Sequence, residues 1–278
     1  MPRAVRDNGF EVDYLRQLLV SDSAQGRLDR AALDLAQIQF PGLEHEPFLD
    51  QINEIAANLG DRLRNFNDGR DFVETAQSYL FGELGFHANE GDFFDPRNSC
   101  LNQVLERRTG IPITLSLLYM EVARRLRMPV YGIGLPNRFV VQFDDGRFAA
   151  FIDPFGGGRI VSPAECFALA GATVADPTLL ARANPKQILM RMLQNLHRAY
   201  MQARDYSRAI ATLDFLLDGA PGTAAWHKLR GALALELKRY SAARADLETY
   251  LELQPQATDR DAVQQQLQTI RRWLAQSN

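Results

Sequence analysis

The chain has 278 residues, more than one typical domain holds, and its 46% hydrophobic and 23% charged residues are the balance of a soluble globular protein. A formal charge of -3 and a pI of about 5.9 provide no basic face or tail for nucleic acid or an anionic membrane. No apolar run reaches the roughly 20 residues that a bilayer span needs, no signal-peptide stretch follows Met1, and two cysteines cannot make a disulfide framework, so a cytoplasmic protein is expected.

Residues 10–85 read as a helical front. Phe48, Ile52, Ile55, Leu59 and Leu63 recur at steps of three and four, as do Phe72, Ala76, Tyr79 and Leu80, with breaks at Pro41-Gly42 and Asp68-Gly69. Phe86 to Pro96 is loop-like, and Asn98 or Ser99 is placed to cap a helix carrying Leu101, Val104 and Leu105. After Pro112 a second helix presents Leu115, Leu118, Tyr119, Val122 and Leu126 on one face and Glu121, Arg124 and Arg125 on a wet one, the pattern of a central helix. Past Pro129 the period falls to two, predicting strands at Val130–Leu135, Phe139–Phe143 and Phe148–Ile152. Asp145-Gly146 signals a two-residue type I′ hairpin, and Gly156-Gly157-Gly158 would end the sheet. A short helix at Glu165–Leu169 precedes Asn184-Pro185, where a domain boundary is expected.

The rest is helical and repeats at an interval of 34 residues. Tyr206 matches Tyr240, Ala209 matches Ala243, Leu213 matches Leu247, Leu217 matches Leu251 and Pro221 matches Pro255, the spacing of tetratricopeptide helix pairs. The predicted division is therefore 1–184, with a core at 86–160, and 185–278, with repeats at about 190–223 and 224–257 and a capping helix at 261–276 whose apolar face is Val263, Leu267, Ile270 and Leu274. Such repeats usually present a groove to a protein partner, here through Asn195, Arg198, Gln202, Lys228 and Arg230, unless these are only a solvated helical surface or the repeats pack on the front half.

Three runs carry a resemblance: Asn98 to Ser116, Leu135-Pro136-Asn137-Arg138-Phe139, and Asp153-Pro154-Phe155-Gly156-Gly157-Gly158. In order and spacing the chain resembles the bacterial SirB-type family, whose members join a transglutaminase-like domain to tetratricopeptide repeats. The resemblance implies an α+β class: a papain-like core of one helix and an antiparallel sheet, then an all-α repeat domain. It also implies where a catalytic triad would stand. The cysteine position falls at Pro112 or Ile113, neither of which can be a nucleophile, and the histidine position falls on Arg138, where family members commonly read Pro-Gly-His-Phe. A guanidinium cannot act as a general base near neutral pH. Asp153 alone remains of the triad, if it does not simply shape the Asp-Pro turn. Arg138 facing Asp153 would lock the old cleft as an ion pair, or grip an anionic group of a partner.

Cys100, at a helix start, is the remaining candidate nucleophile, with Cys166 on the later short helix a blander one. The histidines His45, His87, His197 and His227 are scattered, without metal-site spacing, and Gly156-Gly157-Gly158 lacks the Lys and Ser or Thr of a phosphate loop. The expectation is a non-catalytic interaction or regulatory module with a protein partner and no cofactor or metal. The rival is a cysteine-dependent acyl-transfer or amide-hydrolysing enzyme using Cys100 and Asp153 with a histidine such as His87.

Overall fold

The computed structural model describes residues 13–21 and 26–276. The first residues of the predicted helical front, 10–12, lie outside them. The chain divides into two compact units, Met1–Met192 and Leu193–Asn278.

In the first unit, α1 (Asp13–Val20) and α2 (Leu28–Ala36) bury Leu15, Leu19, Leu33 and Leu35, and α3 (Glu46–Gly60) buries the Ile52, Ile55, Leu59 stripe that its period announces. The Asp68 carboxylate accepts from the Arg70 and Asp71 N–H groups and starts α4 (Gly69–Ala76), which continues into a π-helical turn, Gln77–Glu83. β1 (His87–Ala88) pairs in parallel with β2 (Thr109–Gly110), and α5 (Leu101–Arg107) lies between them in sequence. Next comes α6 (Pro112–Arg125), with Ile113, Leu115, Leu117, Leu118, Tyr119, Val122 and Ala123 all buried: the central helix of the unit. It leads to an antiparallel meander of β3 (Val130–Ile133), β4 (Val140–Asp144), β5 (Ala149–Asp153) and β6 (Arg159–Val161), in spatial order of sequence, followed by α7 (Pro163–Leu169). The class is α+β.

Four local expectations are corrected. Glu121 is not on a wet face; it is 2% exposed, because charged partners surround it at the end of α6. Asn98 and Ser99 do not cap α5. Cys100 holds the N-cap position, and Asn98 is fully buried, with its amide nitrogen donating to the Asp92 carbonyl at 2.7 Å to pin the preceding loop. The β4–β5 connection is Asp145–Phe148 and not a type I′ turn, since only Gly146 takes positive φ while the Asp145 carboxylate accepts from the Arg147 and Phe148 N–H groups. The glycine run does not end the sheet. Gly157 and Gly158, at φ +74 and +73, turn the chain back so that β6 can pair with β5.

Helix α8 (Pro185–Gln202) crosses the division between the units. In the second unit α9 (Tyr206–Gly219) and α11 (Tyr240–Leu253) begin and end 34 residues apart, as their sequences match, with α10 (Ala224–Glu236) between them. Ala209, Ala243, Leu213 and Leu247 are buried at the helix contacts. The last helix, α12 (Arg260–Gln276), buries Val263, Leu267 and Ile270. Among the described residues no helix is long and apolar enough to cross a membrane.

Candidate functional site

The head of α6, the start of β4 and the end of β5 are the three places at which the resemblance drawn from the sequence expects a triad. At the head of α6 stand Pro112 and Ile113, both buried. Proline suits a first helical position because its missing N–H is not needed there. The Thr114 hydroxyl accepts from the Ile111 N–H at 3.1 Å and donates to the Asn98 carbonyl at 2.8 Å, and the Ser116 hydroxyl donates to the Phe139 carbonyl at 3.2 Å. These buried hydroxyls are spent on backbone.

Before β4, Asn137 sits at φ +59, a left-handed conformation that asparagine tolerates better than other non-glycine residues. Arg138 follows, and one of its terminal nitrogens, Nη2, donates to Asp153 Oδ2 at 2.8 Å. The Asp153 side chain is fully buried and the Arg138 side chain one-fifth exposed. The guanidinium also stacks over the Phe155 ring, 4.5 Å from its centroid. The pair is single-pronged. Arg138 Nε and Asp153 Oδ1 are buried without hydrogen-bond partners, although an arginine and a carboxylate can close two parallel bonds. The Asp153 side chain takes no part in the Asp-Pro turn, which is held by backbone bonds from Gly157 to Pro154 and from Gly158 to Asp153.

The alternative nucleophile and base stay apart. Cys100 is fully buried, its thiol donating to the Pro96 carbonyl at 3.5 Å. His87 places Nδ1 3.0 Å from the Gly85 carbonyl and Nε2 3.1 Å from the Thr109 hydroxyl, on the wall of a cavity of about 500 Å³ that it shares with Phe81 and Phe155. Cys166 lies in the apolar cluster with Ile133, Leu135, Val140 and Val161, and burial, reinforced by the Asp153 charge, pushes its thiol up to about 11. A thiol so placed stays protonated and unreactive. Among the described residues no group of three or more His, Cys, Asp or Glu could hold a metal.

On the repeat unit, Arg198 and Gln202 are exposed on α8 and Asn195 is half-buried. Lys228 on α10 is ion-paired with Asp259. Arg230 is drawn inward: it binds the buried Asp246 through Nε at 2.8 Å and Nη2 at 2.7 Å, and Asp214 at 2.6 Å. His227 completes the cluster, 3.0 Å from Asp246. His197, on α8, bridges to the Ala209 carbonyl at 3.2 Å and the Thr212 hydroxyl at 3.0 Å. Its matching residue 34 positions on is Gly231.

A transglutaminase-like superfamily model matches residues 46–194, and a tetratricopeptide repeat model matches residues 196–268. A UPF0162 protein of Xylella fastidiosa is 34% identical over 242 residues, covering 84% of this chain and 85% of that one. The chain belongs to the UPF0162 family, the SirB-type proteins. A second UPF0162 relative, from Pseudomonas aeruginosa, is 30% identical over 247 residues, covering 86% of this chain and 89% of its own. F-box only protein 21 of Mus musculus is 38% identical over 125 residues, 42% of this chain but 20% of that protein. No solved structure matches significantly.

One site in this UPF0162 chain was not legible from motifs. At the end of α6 the fully buried Asp29 receives both prongs of Arg27 at 2.9 and 3.0 Å and Arg125 at 2.7 Å, while Glu121 receives Arg124 at 2.8 Å and Arg125 at 2.9 Å. Burial opposes ionisation of Asp29, yet the hydrogen bonds from Arg27 and Arg125 prevail and hold it below the usual carboxylate range. Glu121 goes the other way: burial, with the neighbouring Asp29 charge, raises it. Asp29 stands more than 90 residues from its α6 partners, so no local spacing announced the cluster.

Proposed function

We propose that this protein is a non-catalytic protein–protein interaction or regulatory module of the cytoplasm, built on a degenerate transglutaminase-like unit and a short tetratricopeptide array. One observation carries the reading: Arg138, at the position where the resemblance implies a general base, is tied to the buried Asp153, and the head of α6 is filled by Pro112 and Ile113. Acyl transfer by this fold needs a thiolate and an imidazole within hydrogen-bond reach of each other. The burial of Cys100 and the local bonds of His87 give the rival pairing no support. On the repeat side, Arg198 and Gln202 offer the freest partner surface, Asn195 is half-buried and Lys228 is held by Asp259, while Arg230 serves the helix contact. We infer that a protein partner reads that surface, with no cofactor or metal.

The test has two arms. The purified full chain is incubated with a glutamine-containing dipeptide and hydroxylamine, and with iodoacetamide; the reading expects no hydroxamate and no alkylation of either cysteine in the native protein. Hydroxamate formation that disappears in Asp153→Asn would overturn it. In the second arm, a photo-crosslinker at position 202 is expected to capture one identified protein, and Arg198→Glu to abolish the capture. Capture unaffected by Arg198→Glu removes the repeat surface from the reading.

A further inference from the structure

A groove of about 760 Å³ opens in the first unit along the outer edge of β3, between the end of α6, the start of α2 and the first turn of α8. Its size is that of a ligand site. Three independent features say what fits it.

The first is charge. Arg27, Arg124 and Arg127 line the groove with Arg125 behind them, and the carboxylates they meet are two, the buried Asp29 and Glu121, so four cations face two acids. In a chain of net charge -3 this is a local cationic field. Arg127 stands out within it. Among the described residues its side chain makes no hydrogen bond or ion pair, while its N–H donates to the Arg124 carbonyl at 3.1 Å, and it holds φ +58 just past the end of α6, where glycine is the usual choice. An exposed arginine kept in that conformation at a groove wall is a charge on offer.

The second is the sheet edge. The bond from the Asp144 N–H to the Pro129 carbonyl, with the register Val130↔Phe143 and Tyr131↔Gln142, fixes the parity of the ladder. Tyr131 and Ile133 turn their backbone groups to β4, while Val130 and Gly132 turn theirs outward. On that outer side the Gly132 carbonyl accepts from the Ala183 N–H at 2.8 Å and the Val130 N–H turns back to Met128. An antiparallel bridge between Ile133 and Arg182 covers this edge beyond Gly132, which leaves the Val130 carbonyl and the Gly132 N–H facing outward beside the groove. Paired backbone groups of this kind receive an added strand.

The third is the apolar lining, which includes Met120, Met128, Val130 and Ile188. Unbranched methionines adapt to side chains of different shape.

We propose that this groove binds an extended acidic peptide segment of a partner protein, its backbone against β3 at Val130–Gly132, an apolar side chain on Met120 and Met128, and its carboxylates on Arg124 and Arg127. The proposal rests on the interaction reading above and names a partner chemistry for it, at a surface separate from the old triad.

The experiment is selection of a displayed library of random 12-residue peptides on the purified full chain, followed by fluorescence anisotropy with the enriched peptides made synthetically. Enriched sequences are expected to combine carboxylates with apolar residues at alternate positions. Arg127→Glu, which breaks no contact in the fold, is expected to weaken their binding about tenfold or more. N-methylation of alternate peptide nitrogens is expected to do the same by removing the strand bonds. Recovery of no acidic peptide, or binding unchanged in Arg127→Glu, overturns the proposal. So does displacement of the peptide by sodium decanoate at equal affinity, which would mark a small-acid site, or enrichment of sequences copied from this chain, which would mark self-association. A hydroxamate-forming chain that still binds these peptides would sink only the non-catalytic reading; an inactive chain whose groove rejects them would sink only this proposal.

Discussion

Arg138 reaches Asp153 through one terminal nitrogen at 2.8 Å, leaving Arg138 Nε and Asp153 Oδ1 buried and bare. The guanidinium lies over the Phe155 ring, 4.5 Å from its centroid, beside the left-handed Asn137.

The pair is therefore asymmetric in what its removal costs. Arg138→Ala leaves the fully buried Asp153 without its cation and is expected to lower the unfolding free energy of the first unit by about 3–5 kcal/mol. Asp153→Asn in the same chain is expected to recover most of it, since a neutral amide tolerates burial better. Urea unfolding of the four chains of the cycle measures the coupling. An Arg138→Ala chain as stable as the parent would show that the ion pair does not hold the cleft.

The Asp29 and Glu121 cluster makes opposite pH predictions for its two carboxylates. Asp29 is depressed, so its contribution is complete above the unfolded value of about 3.9 and is lost as pH falls through the folded one. Glu121 is raised, so its contribution is present below about 4.3 and is lost as pH rises through its folded value. Asp29→Asn is expected to cost about 3–5 kcal/mol at pH 7, since it strips Arg27 and Arg125 of their shared acceptor. Glu121→Gln is expected to be tolerated, and to gain on the parent chain as pH rises from 4 to 7. Thermal unfolding across that range reads both. A Glu121→Gln chain that loses ground as pH rises contradicts the assignment.

Elements with local signatures were legible in the sequence: the stripe Ile52, Ile55, Leu59, the period-two strands after Pro129, and the 34-residue match from Tyr206 to Pro255. Arg138 and Asp153 could be read as facing each other because the triad positions of a known core define a geometry. What stayed hidden depends on distant partners. Glu121 reads as a wet-face residue until Asp29, far away in sequence, draws two arginines over it. Asn98 looks like a cap until Cys100 takes the cap position, and β6 is too short for its alternation to register. Arg230 reads as partner-facing, yet Asp246 and Asp214 claim it.

His197 sets a pH dependence for the repeat unit. Burial lowers it, with the Arg198 charge assisting and the Ala209 carbonyl opposing. A histidine held neutral in the fold contributes stability that is complete above its unfolded value of about 6.5 and lost as pH falls through the folded value. His197→Ala gives up the bonds to Ala209 and Thr212, and is expected to lower the thermal midpoint at pH 8 by more than at pH 5. A gap that widens on acidification would mean the ring is charged in the fold.

Gly231 is the counterpart of His197 in the second repeat, and here space decides the outcome. A β-carbon at Gly231 would lie 3.0 Å from Leu247 Cγ, 3.1 Å from its Cδ2 and 3.3 Å from Asp246 Cβ. Leu247 is buried, and Asp246 is fixed by His227 and Arg230, so neither yields easily. Overpacking of this kind costs roughly 1–3 kcal/mol, whereas replacing glycine by alanine inside a helix returns about 1 kcal/mol. Gly231→Ala is expected to destabilise the repeat unit by up to about 2 kcal/mol net. In a Leu247→Ala background the two closest contacts are gone and the helical gain outweighs the remaining one to Asp246 Cβ, so the same substitution is expected to stabilise. Chemical denaturation of the two pairs checks the reversal of sign. If Gly231→Ala stabilises in both backgrounds, the close approach of α10 and α11 at this position does not constrain the repeat.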